Sequence, residues 1–149
     1  MTQTLNVALP TAINPPALYD PTPNSYSHLV IAPPNVRWLF VAGQGGEDEH
    51  GSLAPDFAAQ LQRCLQNLRI ALAAGDATLQ QVTKLTVLVV DHDETRLSLI
   101  SAALRAAWAG SPAPACTLIP VPRLALDGML IEIDATACIG AGQPTGGAA

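Results

Sequence analysis

Apolar residues Phe57, Leu61, Cys64, Leu65, Leu68 and Leu72 recur at intervals of three and four, the spacing of one face of an α-helix. Asp56, behind Pro55, is placed to cap that helix, and Gly75 to stop it. A second stripe, Leu97, Ile100, Leu104, Ala107 and Trp108, predicts a helix over 94–108 that Pro112 and Pro114 break off. Elsewhere the period is two. Leu85, Val87 and Val89 alternate with Lys84, Thr86 and Leu88, which predicts a strand over 82–90. Met129, Ile131, Ile133 and Ala135 alternate with Leu130, Glu132, Asp134 and Thr136 in a strand over 129–138. Shorter apolar runs at 27–31, 37–43 and 115–119 supply the remaining strands, and Pro33-Pro34-Asn35 between the first two suggests a hairpin.

The order ββαβαββ, with roughly five strands, fits an α+β fold: a sheet carrying both helices on one face. Two helices cover one side only, so the other side meets solvent or another subunit. Leu88, Leu118 and Leu130 are expected on that side beside few charges, which favours a subunit. Residues 1–24 hold five of the thirteen prolines, and GAGQPTGGAA closes the chain. These mark an extended arm (1–13) before the domain (14–138) and a flexible tail (139–149) after it.

Composition narrows the function. Charged residues make up 13% of 149, about half the usual share of roughly 25%, against 49% hydrophobic, so a disordered chain is excluded and concealed surface in an oligomer is expected. A net charge of −5 with no basic run argues against nucleic acid as a partner. No apolar run approaches the ~20 residues of a membrane helix, and the N-terminus lacks a signal pattern, so a soluble cytoplasmic protein is expected. Cys64, Cys116 and Cys138 are odd in number and have no metal-ligand spacing. Gly45-Gly46 has neither the spacing nor the helix of a dinucleotide fingerprint.

The element order and several strings together resemble the RidA/YjgF, or reactive-intermediate deaminase, family. The strings are Tyr26-Ser27-His28, Phe40-Val41-Ala42-Gly43-Gln44, Lys84-Leu85-Thr86-Val87 with Val90-Asp91, Pro114-Ala115, and Ile131-Glu132-Ile133-Asp134-Ala135. The resemblance implies a chorismate-mutase-like fold and a homotrimer whose sheets line a central barrel, with a cleft between each pair of neighbours. It also implies hydrolysis of small enamines and imines to carbonyl compounds and ammonia, with no metal and no organic cofactor.

By the same resemblance Glu132 matches a glutamate that orients the hydrolytic water, a role that needs a carboxylate within hydrogen-bond reach. Tyr26 matches a cleft tyrosine whose hydroxyl donates to substrate. His28 shares its strand side by the period of two and is a candidate proton carrier. Gly43 and Gln44 match a string where backbone approaches ligand closely. The sequence departs from the deaminase pattern at Cys116. Where deaminases read Pro-Ala-Arg-Ser/Thr, with an arginine that grips a substrate carboxylate, this chain reads Pro114-Ala115-Cys116-Thr117. A neutral thiol cannot replace that guanidinium, so the substrate is expected to be neutral or differently anchored, with Thr117 a candidate contact. Cys116, His28 and Glu132 are also the residue types of a thiol, base and orienter set. Three functions stay open: an imine or enamine hydrolase, a ligand-binding or regulatory trimer without chemistry, and a pathway-specific enzyme using Cys116. Asp134 reads as structural, Arg123 as a surface charge, Cys64 and Cys138 as packing, and Trp38 and Trp108 as core or interface aromatics.

Overall fold

The computed structural model describes residues 9–141. In chain order the elements are β1 (Thr11–Ile13), β2 (Leu29–Ile31), β3 (Val36–Gln44), α1 (Phe57–Ala74), β4 (Val82–Val90), α2 (Glu94–Ala107), β5 (Ala115–Val121) and β6 (Ile131–Gly140). The main sheet has four strands in the order β3-β6-β4-β5, antiparallel except for β4–β5. That parallel pair is the one joined through a helix, α2, as parallel strands require a long crossover.

Local chemistry sets the helix ends. The Asp56 carboxylate accepts from the Ala59 N–H at 2.9 Å, and that of Asp93 from the Arg96 N–H at 2.7 Å, so each helix starts on a side-chain cap. Gly75 ends α1, and Trp108 ends α2 with its indole N–H donated to the Leu79 carbonyl at 3.0 Å. Glu94 in the first turn and Arg105 in the last turn of α2 complement its dipole. Both predicted stripes face inward. Leu61, Leu65, Leu68 and Leu72 of α1 and Ile100 and Leu104 of α2 pack on Leu85, Val87, Ile131 and Ile133 of the sheet in one core. Cys64 and Cys138 are buried, as packing residues should be.

Three expectations need correction. The 27–31 and 37–43 runs form no hairpin: β2 pairs with β1 in a separate two-stranded sheet, and β3 pairs with β6. The proline pair is followed by Asn35 at φ 55°, and the chain leaves one sheet there to enter the other. Leu118 and Leu130 do not lie on the uncovered face, because both pack against the helix-side core, Leu118 in register with buried Val87. Finally, the predicted arm and tail both contribute strand. Thr11–Ile13 is β1, and Ile139 and Gly140 extend β6 by pairing with Arg37 and Val36; the remainder of these segments, 1–8 and 142–149, lies outside the described residues.

The uncovered face carries instead Trp38 and Phe40 of β3, with Phe40 81% exposed. Beside them stand Lys84, Thr86 and Leu88 of β4 and Glu132, Asp134 and Thr136 of β6, all half-buried.

Candidate functional site

The sequence-predicted residues fall into two groups on opposite sides of the main sheet. Glu132 pairs with Leu88 on the uncovered face, whereas Cys116 pairs with buried Leu85 and packs against the helix-side core. Within one chain the sheet therefore separates the carboxylate from the thiol. The thiol, base and orienter set suggested by the sequence is not assembled here.

Glu132 stands beside a break in the β3–β6 ladder. Val41 pairs with Ala135 and Gln44 with Ile133, so Ala42 and Gly43 together oppose Asp134 in a β-bulge. The Glu132 carboxylate occupies the space that a Cβ on Gly43 would take, so a larger residue there would push the carboxylate aside. Gln44 folds back, its amide donating to the Ala42 carbonyl at 3.0 Å across the bulge. Among the described residues Glu132 has neither an ion-pair nor a hydrogen-bond partner for its carboxylate. Thr117 shares this uncovered face but lies two strands away, in register with Thr86 and bonded to the Lys84 ammonium.

The loop that follows Gln44 is clamped to α1 by two amides that the sequence reading passed over. The Asn67 side chain donates to the carbonyls of Gly45 and Glu47 at 3.1 and 2.8 Å. Gln60 is 2% exposed; its NH2 donates to the Ala54 and Gly128 carbonyls, and its oxygen accepts from the Leu130 N–H. Gly46 lies so close to Gln60 that a Cβ would meet its side chain at 2.5 Å. Further along, the Asp48 carboxylate accepts from the N–H groups of Ser52 and His50, which hold its carboxyl below the usual range. The strand end carrying Gly43 is thereby tied to the helix layer beneath Glu132.

On the helix side, Cys116 forms part of the wall of a cavity of about 240 Å³ between β5 and α2. Tyr26 reaches it because Ser27 docks on the start of β5, its N–H and hydroxyl donating to the carbonyls of Pro114 and Ala113 at 2.9 and 2.6 Å. Tyr19, from the proline-rich segment, joins it, and the two tyrosine hydroxyls are hydrogen-bonded. His28 packs edge-on against both rings at 5.1 and 5.5 Å, its Nε2–H donating to the Tyr19 carbonyl at 2.8 Å, so the expected Tyr26–His28 neighbourhood is present. Tyr19 was invisible in the sequence because it sits in an aperiodic segment; its one local signal, an aromatic among prolines, has no defined meaning. Burial pushes the Cys116 thiol up to about 11, only partly offset by Lys84, which keeps it protonated at neutral pH in the single chain. Arg123 pairs with Asp127 at 3.1 Å on the surface. Among the described residues no cluster of three His, Cys, Asp or Glu side chains is arranged to hold a metal ion, and no helix is long and apolar enough to cross a membrane.

Two helices on one face of a β3-β6-β4-β5 sheet, with neither helix on the other, define an α+β protein of the chorismate-mutase-like class. Residues 19–139 match the family model described as endoribonuclease L-PSP, and the chain belongs to that family, which is the YjgF/RidA family. It is similar to YyfB from Yersinia pestis, described as a Rid-family protein of unknown function, with 37% identity over 88% of this chain and 99% of that one and a TM-score of 0.83. Rv2704 from Mycobacterium tuberculosis, a member of the YjgF/YER057c/UK114 family, is 27% identical over 86% and 98% of the two chains, with a TM-score of 0.56. RidA from an Antarctic Psychrobacter shares the fold, with a TM-score of 0.61 at 24% identity over 76% and 87%. No curated protein shows significant similarity to the chain.

Proposed function

We propose that the protein is a small-molecule hydrolase acting on C=N bonds, and that it works as a homotrimer in which the Glu132 face of one copy meets the Cys116 cavity of its neighbour. The observation that carries this reading is the Glu132 carboxylate, half-buried, without a hydrogen-bond or ion-pair partner among the described residues, and seated in the space over Gly43. A carboxylate so placed is suited to take a proton from an attacking water. Water adds to the imine carbon, Glu132 accepts its proton, and the nitrogen is protonated, with the Tyr26 hydroxyl as the nearby donor. The resulting carbinolamine collapses to the carbonyl compound and ammonia, and Glu132 gives its proton back. Family membership supports the assignment, and so does the uncovered face bearing Trp38 and Phe40, which a neighbouring copy would cover.

The test is ammonia and carbonyl release from freshly generated imines. A rate above buffer, lowered by about 10²–10⁴ in Glu132→Gln, supports the reading; no acceleration across a broad imine panel rejects it. The separation of Glu132 from the cavity within one chain favours a second reading, a ligand-binding or regulatory assembly without chemistry. That reading requires ligand binding that Glu132→Gln leaves intact and no turnover in either protein. RNA cleavage gains no support from a net charge of −5.

A further inference from the structure

The cavity beside Cys116 is lined by both apolar and uncharged polar side chains. Val87 and Leu118 from the sheet and Ile100 and Leu104 from α2 supply apolar lining, and Tyr19 and Tyr26, whose hydroxyls are hydrogen-bonded to each other, supply polar groups. Asn24 and Ser101 also line it, but they face each other, the serine hydroxyl donating to the amide oxygen at 3.4 Å. None of the lining residues carries a charge.

The cationic side chains of α2 and β4 make their contacts outside this lining. Arg96 donates to the Val90 carbonyl and lies over the Phe57 ring, with its guanidinium 4.7 Å from the ring centroid. Arg105 donates to the Pro23 carbonyl and lines a different cavity. Lys84 sits on the far side of the sheet with Thr117. A carboxylate entering the Cys116 cavity would lose its hydration and meet no cationic side chain in the lining, with only the Lys84 ammonium felt through the sheet. The volume, about 240 Å³, exceeds the roughly 150 Å³ in which a benzene ring is accommodated.

We propose that this cavity makes the protein selective for uncharged substrates: it takes an apolar group of phenyl size, and the Tyr19–Tyr26 hydroxyl pair meets the polar end of the same molecule. The inference rests on the hydrolase reading above for its chemistry, but not for its binding preference. Cys116 is the specificity-determining position, because it is the wall residue at which a cation would reverse the selection.

The deciding pair of substrates is the imine of acetophenone and the imine of phenylglyoxylate, generated in place by enzymatic oxidation of the parent amines. They differ by a methyl group against a carboxylate. Wild type is expected to hydrolyse the acetophenone imine with kcat/KM at least tenfold higher, and Cys116→Arg to invert the order. Cys116→Leu, which keeps the wall neutral, retains the preference and covers the case in which the arginine variant does not fold. Equal or faster hydrolysis of the phenylglyoxylate imine by wild type overturns the selectivity and leaves the hydrolase reading standing. If neither imine is accelerated, the hydrolase reading fails, and NMR titration with acetophenone and phenylglyoxylate decides the selectivity alone. Shifts at Ile100 and Leu104 with acetophenone only uphold it; equal binding of phenylglyoxylate, or binding of neither, overturns it.

Discussion

The carboxylate of Glu132 lies where a Cβ on Gly43 would stand. The obstacle to a larger residue is thus the far end of a flexible side chain, which can swing away at little cost, while alanine relieves the entropic penalty of a glycine in a strand, about 0.5–1 kcal/mol. Gly43→Ala is therefore expected to leave stability within about 1 kcal/mol of wild type by thermal unfolding and yet to displace the carboxylate. Its kcat/KM should fall toward that of Glu132→Gln, and the double variant should be little worse than either, because both remove the same group from the same place. Wild-type turnover in Gly43→Ala would show that the Glu132 position is not the catalytic one.

Gln60 links three separate stretches of backbone from inside the core, through bonds of 3.1, 2.9 and 2.8 Å to Ala54, Gly128 and Leu130. Leucine at this position fills similar space but leaves an N–H and two carbonyls to find other partners. With roughly 1–3 kcal/mol lost for each buried group left unsatisfied, Gln60→Leu should cost about 3 kcal/mol in urea unfolding at an unchanged m-value. A loss below about 1 kcal/mol would mean that water reaches these groups and that the clamp is dispensable.

The periodic part of this fold was legible in its sequence, and the aperiodic part was not. Asp56 and Gly75 bracket α1, and the 82–90 alternation coincides with β4, because a capped stripe or a period of two states its own burial. Pairing partners are different: the run at 27–31 is equally strand-like against β3 or β1, and what decides is the docking of Ser27 on Pro114, some ninety residues on. The same limit applied to the site. Glu132 and Gly43 came from matching strings, but their contact depends on a bulge that no single string encodes. The strand registers put Cys116 and Glu132 on opposite faces of one chain's sheet, a relation that neither string states by itself. Tyr19, Gln60 and Asn67 carry no periodic signal at all, and only the folded backbone shows what they hold.

Burial pushes the Cys64 thiol up to about 12 and that of Cys116 up to about 11, from an ordinary value of 9.0; the carboxylates of Glu47 and Glu132 add to the effect at Cys64. The consequence for stability has a definite sign. Below pH 9 both thiols are protonated in folded and unfolded chains, and the full stability is present. Above it the unfolded chain releases protons that the folded chain retains, so stability falls as pH rises toward 11 and 12, by about 1.4 kcal/mol per pH unit for each thiol. Urea unfolding at pH 8, 9 and 10 measures the slope, and Cys64→Ala with Cys116→Ala should flatten it. An unchanged slope in that double variant would assign the alkaline loss to other groups.

Phe40 projects from β3 with 81% of its surface exposed, next to Trp38 at 49%, on the face that neither helix covers. Two large aromatics left in water are costly for a lone chain with only 13% charged residues, and a neighbouring copy packed on this face would bury them. Phe40→Asp places a charge where the contact would be desolvated, so light scattering should show the mass drop from that of three chains to that of one. Circular dichroism should stay the same, because Phe40 is no part of the helix-side core. The dissociated variant is also expected to lose imine hydrolysis, since Glu132 and the Cys116 cavity lie on opposite sides of each sheet and in the proposed trimer it is a neighbour that would bring them together. A single-chain mass for wild type would rule out the shared cleft, and full turnover by monomeric Phe40→Asp would place the whole reaction on one face of one chain.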